Sequence, residues 1–267
     1  MINLIPMAGR GNRFFQEMYN VPKPFIPIMG DPMFIASVKS FPLAGKYIFI
    51  CLKEHYQKYK LKDIIENTFQ QSEIIIIDDV TEGQACTCLL AEDKLNKDEG
   101  LFISSCDYQT VYDRKEYESL LADEEIDVII WTFKTGNIKK ANPNAFAYCR
   151  TDGERVVEVV EKQTISDTPH LDPAVVGSFT YRNADLFLRG AKKMINKNIR
   201  VNNEFYVGTS INQLIADGCK VVTFDVGKFI SFGNPFELMA FQYWQDYFEQ
   251  LDDHPYSSKY GFQRAMR

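Results

Sequence analysis

Five short apolar runs, each separated from the next by an amphipathic stretch, limit what the first half of this chain can fold into. They are residues 2–5 (INLI), 47–52 (YIFICL), 73–77 (EIIII), 101–104 (LFIS) and 128–133 (VIIWTF). Runs this rich in β-branched and aromatic residues suit strands covered on both faces. Helical patterns fill the gaps at 32–41, 54–69, 84–96 and 115–121. Strand and helix in alternation predict an α/β fold in layers, with a mostly parallel central sheet. Ligands of such sheets lie beyond the carboxyl ends of the strands. Whatever follows 2–5 and 101–104 should therefore meet at one edge.

The second half reads as shorter strands at 145–149 and 156–161 around an Asp152-Gly153 turn, with further strands at 175–181 and 220–225. Helices are expected at 184–194 and 209–216, with Gly218 as a stop. Residues 235–251 form a long helical pattern whose wide stripe includes Phe236, Met239 and Trp244. A stripe that wide packs on the body or on a second subunit, so a homo-oligomer through this helix is one expected partnership.

Residues 6–27 (PMAGRGNRFFQEMYNVPKPFIP) follow the first strand. Gly9 and Gly11 let the backbone bend around a ligand and present its N–H groups. Arg10, Arg13 and Lys23 supply positive charge for phosphate oxygens. Pro22 and Pro24 restrict the backbone around Lys23 and so limit where its amine points. The physical reading is a loop that holds a polyphosphate. It is neither a P-loop nor a dinucleotide fingerprint, since no Gly-Lys-Ser/Thr and no G-x-G-x-x-G is present. A Gly-rich surface turn with exposed basic residues is the plainer alternative.

Asp107 follows LFISSC, so a buried strand delivers it to the same edge. Mg²⁺ takes oxygen ligands and keeps waters, so one or two carboxylates beside nucleotide oxygens suffice to hold it. Asp79, after EIIIID, is the competitor and reads as a solvated turn residue. The net charge of −6 argues against a nucleic-acid binder. No uncharged apolar run approaches the roughly 20 residues that cross a bilayer. Met1-Ile2-Asn3 leads straight into a strand rather than a secretory leader, and the six scattered cysteines read as reduced thiols; both point to the cytoplasm. Cys86-x-Cys88 lacks a second pair and the three histidines lie far apart, so no zinc-type site is expected.

AGRGNR followed by PKP resembles the signature of the nucleotidyltransferases that make sugar nucleotides and related activated phosphates. The resemblance continues through TEGQACT (81–87), the Asp107 region, VEK (160–162) and NNEFYV (202–207). PMAGRG is similar to a bacterial subgroup associated with capsule and surface polysaccharide. The resemblance implies a Rossmann-like three-layer sandwich of the GT-A kind with a smaller acceptor-binding subdomain. One domain would span 1–251, with an NTP-binding half at 1–135, an acceptor-binding half at 136–234 and a C-terminal helix at 235–251; a polar tail follows at 252–267.

The implied activity joins an NTP, CTP favoured, to a phosphorylated small molecule with release of pyrophosphate, using Mg²⁺. Arg13 and Lys23 would hold the NTP phosphates, with Met7, Ala8, Gly9, Gly11 and Asn12 around them. Gly83 would allow close approach of the base and Gln84 would touch its edge. Lys162 would meet the acceptor's phosphate, with Glu161, Gly177 and Glu204 shaping its pocket. Asp107 would hold the metal. Many relatives carry a second metal-binding Asp in W-x-D-x-G near the end; the matching stretch, residues 229–233, has Ser231 there, with Asp225 as the candidate substitute. A glycosyltransferase of similar fold and a non-catalytic nucleotide-binding subunit are the rival classes.

Overall fold

The computed structural model describes residues 1–17, 19–135 and 142–251, without the side chains of Asn12 and Phe15. The expected tail at 252–267 lies outside them. The chain opens with β1 (Ile2–Pro6), the short helix α1 (Asn12–Gln16), a small hairpin of β2 (Pro27–Ile28) and β3 (Asp31–Pro32), and α2 (Met33–Val38). Next come β4 (Lys46–Leu52), α3 (Lys53–Lys58), α4 (Leu61–Thr68), β5 (Ser72–Ile77), α5 (Gln84–Leu89) and β6 (Leu101–Ile103). The first half closes with β7 (Tyr108–Val111), α6 (Arg114–Ala122) and β8 (Val128–Phe133). The second half supplies β9 (Ala147–Asp152), β10 (Arg155–Glu161), β11 (Ala174–Tyr181), α7 (Ala184–Asn196), α8 (Val207–Ala216), β12 (Val221–Asp225), β13 (Lys228–Ser231) and α9 (Pro235–Glu249).

One sheet runs through both halves in the order β5-β4-β1-β6-β11-β8-β12-β10-β9. β5, β4, β1, β6, β8 and β12 point the same way, and β11 runs against its neighbours β6 and β8. The continuous apolar runs have a direct cause, because successive residues face opposite sides and both sides are covered. In β4, Ile48 and Ile50 pack with Ala85 and Cys88 of α5, Phe187 of α7 and Leu214 of α8. Tyr47, Phe49 and Cys51 between them pack with Phe34 of α2 and with Leu61 and Ile65 of α4. β8 repeats the division, with Val128 and Ile130 on one face and Ile129 and Trp131, beside Tyr117 of α6, on the other. The result is the layered α/β fold expected. Among the described residues no helix is long and apolar enough to cross a membrane.

Three details differ from expectation. The single helix expected at 54–69 is two, broken where Lys60 takes a left-handed conformation (φ 48°). The helix expected at 84–96 gives way after Leu89 to a 3-10 turn, Glu92–Lys94. β7 and β13, neither expected as a strand, pair antiparallel with Tyr108 opposite Ser231 and Val111 opposite Lys228. A fourth apolar cluster joins Phe14 of α1, Ile26, Ile28 and Met33 to Phe232 and Leu238. It ties the N-terminal loop to the start of α9.

Candidate active site

The segment read as a loop after β1 is partly helical. Met7 N–H still donates to Ile50 O (2.9 Å), and Met7 and Ala8 are buried. The chain then emerges at Gly9 and Arg10. A Cβ at Gly9 would meet nothing within 4 Å, so its backbone is open to a ligand. Gly11 turns the chain (φ +64°), and Phe14 N–H donates to its carbonyl (2.9 Å) as α1 begins. Phe14 anchors α1 in the fourth cluster while Arg13 stays exposed. Arg10 pairs with Asp79 across 2.6 Å at the surface, so Asp79 is the solvated turn residue expected.

Lys23 enters from a 3-10 turn, Lys23–Phe25, that follows Pro22 (φ −60°). Its ammonium donates to Asp107 Oδ2 (2.6 Å) and to the carbonyl of Gly233 (2.9 Å). Ser105 Oγ donates to the other Asp107 oxygen, and Phe232 N–H donates to the Asp107 carbonyl (2.9 Å). The β7–β13 ladder accounts for this meeting, because pairing Ser231 with Tyr108 carries residues 232 and 233 to the strand-end acid. Burial works against charge on Asp107. The Lys23 ammonium and the hydrogen bonds from Lys23 and Ser105 outweigh it and hold the carboxyl below its usual range.

Asp107 Oδ2 and Gly233 O thus already clasp a cation, the lysine's own. The donors are all oxygens, the set that Mg²⁺ takes. Among the described residues no three His, Cys, Asp or Glu side chains gather as a cage. A divalent ion here would share its coordination with nucleotide oxygens, and the residues present fit that arrangement.

Beside Asp107 lies a pocket of about 240 Å³ that includes Gln84, Tyr108, Glu161, Lys162, Gly177, Tyr206 and Gly208. Glu161 ends β10, and its carboxylate lies so close over Gly208, in the first turn of α8, that any side chain there would collide with it. Burial pushes the Glu161 carboxyl up to about 7, against the pull of Lys162. Lys162 takes a left-handed backbone (φ 57°), donates from its amine to Ala145 O, and lies 5.7 Å from the centre of the Tyr206 ring. Gly177 (φ +102°) sits where the register of β11 shifts, packed on the Tyr108 ring. The Tyr206 phenol is raised by burial and by its hydrogen bond to Glu204; the nearby Arg13 charge opposes this.

The structure thus brings Lys23, Asp107, Gln84, Glu161, Lys162 and Gly177 to one edge, with the Arg13 charge near enough to act on Tyr206. Glu204 is exposed and reaches the pocket only through Tyr206. Gly83 has a different reason from the one expected. A Cβ there would lie 2.5 Å from Phe205 N, and Ala85 N–H and Phe205 N–H donate to Phe205 O and Glu82 O (3.0 Å each). The missing side chain makes room for a neighbouring backbone. Asp225 is not among the residues that line this pocket: it ends β12 opposite Thr132, exposed. The side chain of Asn12 lies outside the described residues.

One residue at the site went unread in the sequence. Ser231 Oγ donates to Glu237 Oε2 (2.6 Å), which brings a carboxylate from the first turn of α9 toward Gly233. The available signal was Asn234-x-x-Glu237, a helix-start pattern that usually keeps its glutamate busy at the cap.

A family model described as nucleotidyl transferase matches residues 2–247. No curated protein matches the sequence. The nucleoside-diphosphate-sugar pyrophosphorylase from Vibrio cholerae RC9 superposes with a TM-score of 0.74 at 21% identity, over 90% of this chain and 99% of that one. The inositol-1-phosphate CTP transferase from T. maritima superposes with a TM-score of 0.69 at 14% identity, over 90% and 93%. At such identities the likeness is one of fold.

Proposed function

We propose, from the premise that this chain belongs to the nucleotidyl transferase family and is a nucleotidyltransferase enzyme, that it joins CTP to a phosphorylated small molecule and releases pyrophosphate. The acceptor would be a sugar 1-phosphate or a non-sugar phosphate such as a polyol phosphate, phosphocholine or phosphoglutamine. The product would be an activated precursor for capsule or surface polysaccharide, made in the cytoplasm. One observation carries the reading: a lysine and a strand-end carboxylate meet at 2.6 Å beside a pocket that holds a second lysine.

An oxygen of the acceptor phosphate attacks the α-phosphorus in line with the bond to the β-phosphate, which breaks as pyrophosphate leaves. No protein nucleophile is needed; alignment and charge compensation are. Lys23 and Arg13 would bind the leaving phosphates over the open backbone at Gly9, beside the Gly11 turn. Gln84 would meet the base edge. Lys162 would hold the acceptor phosphate, and Glu161 would accept from its hydroxyl or amine groups. Asp107 and the Gly233 carbonyl would hold Mg²⁺, which when bound neutralises phosphate charge. The halves 1–135 and 136–234 would bind NTP and acceptor respectively. CTP is favoured by analogy with the T. maritima protein, named for CTP.

The exposed side of α9 carries Phe236, Met239, Tyr243, Trp244 and Tyr247. A twofold pairing would bury the same stripe on both copies, so a homodimer through α9 is part of the proposal. Incubating each of the four NTPs with a panel of phosphorylated metabolites and measuring pyrophosphate tests the activity. One pair, with CTP, should release it; a nucleotide-sugar-dependent transfer without pyrophosphate would favour a glycosyltransferase.

A further inference from the structure

We infer that Glu237 is a second carboxylate of the cation site, supplied by the first turn of α9; this rests on the nucleotidyltransferase reading above. Glu237 does not spend its side chain on its own helix. Asn234 Oδ1 accepts from the Glu237 N–H (3.0 Å), so the cap is already made. The carboxylate turns instead to the Ser231 hydroxyl (2.6 Å), which also accepts from the Gly233 N–H (3.0 Å). Ser231 and Asn234 thereby fix both ends of the glutamate.

That fixed carboxylate and Asp107 lie on the same side of Gly233. A methyl group at Gly233 would lie 3.2 Å from Glu237 Oε2 and 3.9 Å from Asp107 Oδ2, so the two acids border one small space kept open by a glycine. Asp107 Oδ2 and the Gly233 carbonyl hold a single ammonium, that of Lys23, and the Glu237 carboxylate borders the same glycine. When Lys23 turns to a triphosphate, it leaves behind an all-oxygen nest with charge for a divalent ion. Asp225 ends β12 and does not line the pocket beside Asp107; Glu237 borders the space at Gly233. Ser231 then has a role of its own, as the group that orients Glu237.

Binding of Mn²⁺ alone, followed through the EPR signal of the free ion, tests this without turnover. The measurement is made on Lys23→Ala, in which no ammonium occupies the oxygens, and on that protein carrying Asp107→Asn, Glu237→Gln or Ser231→Ala. Lys23→Ala should bind Mn²⁺, Asp107→Asn and Glu237→Gln should each weaken binding by about tenfold or more, and Ser231→Ala by less. Ser231→Ala keeps the carboxylate but frees it, and gives a second reading should the glutamine variant not fold. Mn²⁺ affinity that falls with Asp107→Asn but is the same with or without Glu237→Gln would overturn the inference, as would no binding by Lys23→Ala. Pyrophosphate release by wild type judges the underlying reaction separately.

Discussion

Glu161 is a carboxyl at this site that burial holds above its usual range. Its carboxyl moves from the ordinary 4.5 to about 7, because β10 delivers it against Gly208 with only Lys162 to compensate. The folded state therefore holds its proton more tightly than the unfolded chain. Below about pH 4.5 both states are protonated and nothing is lost; as pH rises through about 7 the buried charge appears and stability falls. Glu161→Gln should leave Tm unchanged near pH 4 and raise it by about 2–5 °C near pH 8, without acceptor. The same difference at both pH values in thermal melts would contradict this. Lys23, Asp107 and Lys162 were legible because each follows a strand or sits between prolines, so local sequence fixes where it emerges. Glu237 was not, since its orientation depends on a hydrogen bond from Ser231 rather than on its place in the helix.

At the scale of elements, the 82–85 turn and the 202–206 turn are sewn together by backbone, and both border the pocket. Asn202 and Asn203, with φ of 49° and 63°, turn the chain between Val201 and Glu204, whose N–H groups donate to each other's carbonyls (3.1 and 2.9 Å). Arg200 lies over the Phe205 ring at 4.0 Å and pairs with Glu82. Gly83 (φ +142°) lets the two segments close. Gly83→Ala should cost about 2–4 kcal/mol in urea denaturation, through both collision and strain; a loss under about 0.5 kcal/mol would mean the turns part easily. The buried strands were readable from their apolar runs, since both faces are covered. β7 and β13 escaped because a four-residue ladder with Gln109, Thr110 and Lys228 carries no such pattern. The packing of the Phe205 backbone on Gly83 was not legible for a related reason: a small residue marks close approach, and sequence does not say of what.

Over the whole molecule, one sheet carries the edge where Lys23 meets Asp107 and the pocket beside it, and α9 carries the site's last turn outward into an aromatic stripe. Phe236 and Tyr243 are 75% and 67% exposed. The homodimer proposed through this stripe should dissociate in light scattering when both become glutamate; a wild-type protein that is monomeric at every concentration would remove it. The proposed reaction rests on a lysine and a carboxylate that already meet, at 2.6 Å, where two phosphates would be aligned. The most direct test is the pyrophosphate released per nucleotide-activated product, by wild type and by Asp107→Asn at matched folded protein. One pyrophosphate per product, with a rate lower by about 100-fold or more in the variant, is predicted. Product formed without pyrophosphate, or an unchanged rate in Asp107→Asn, would contradict it.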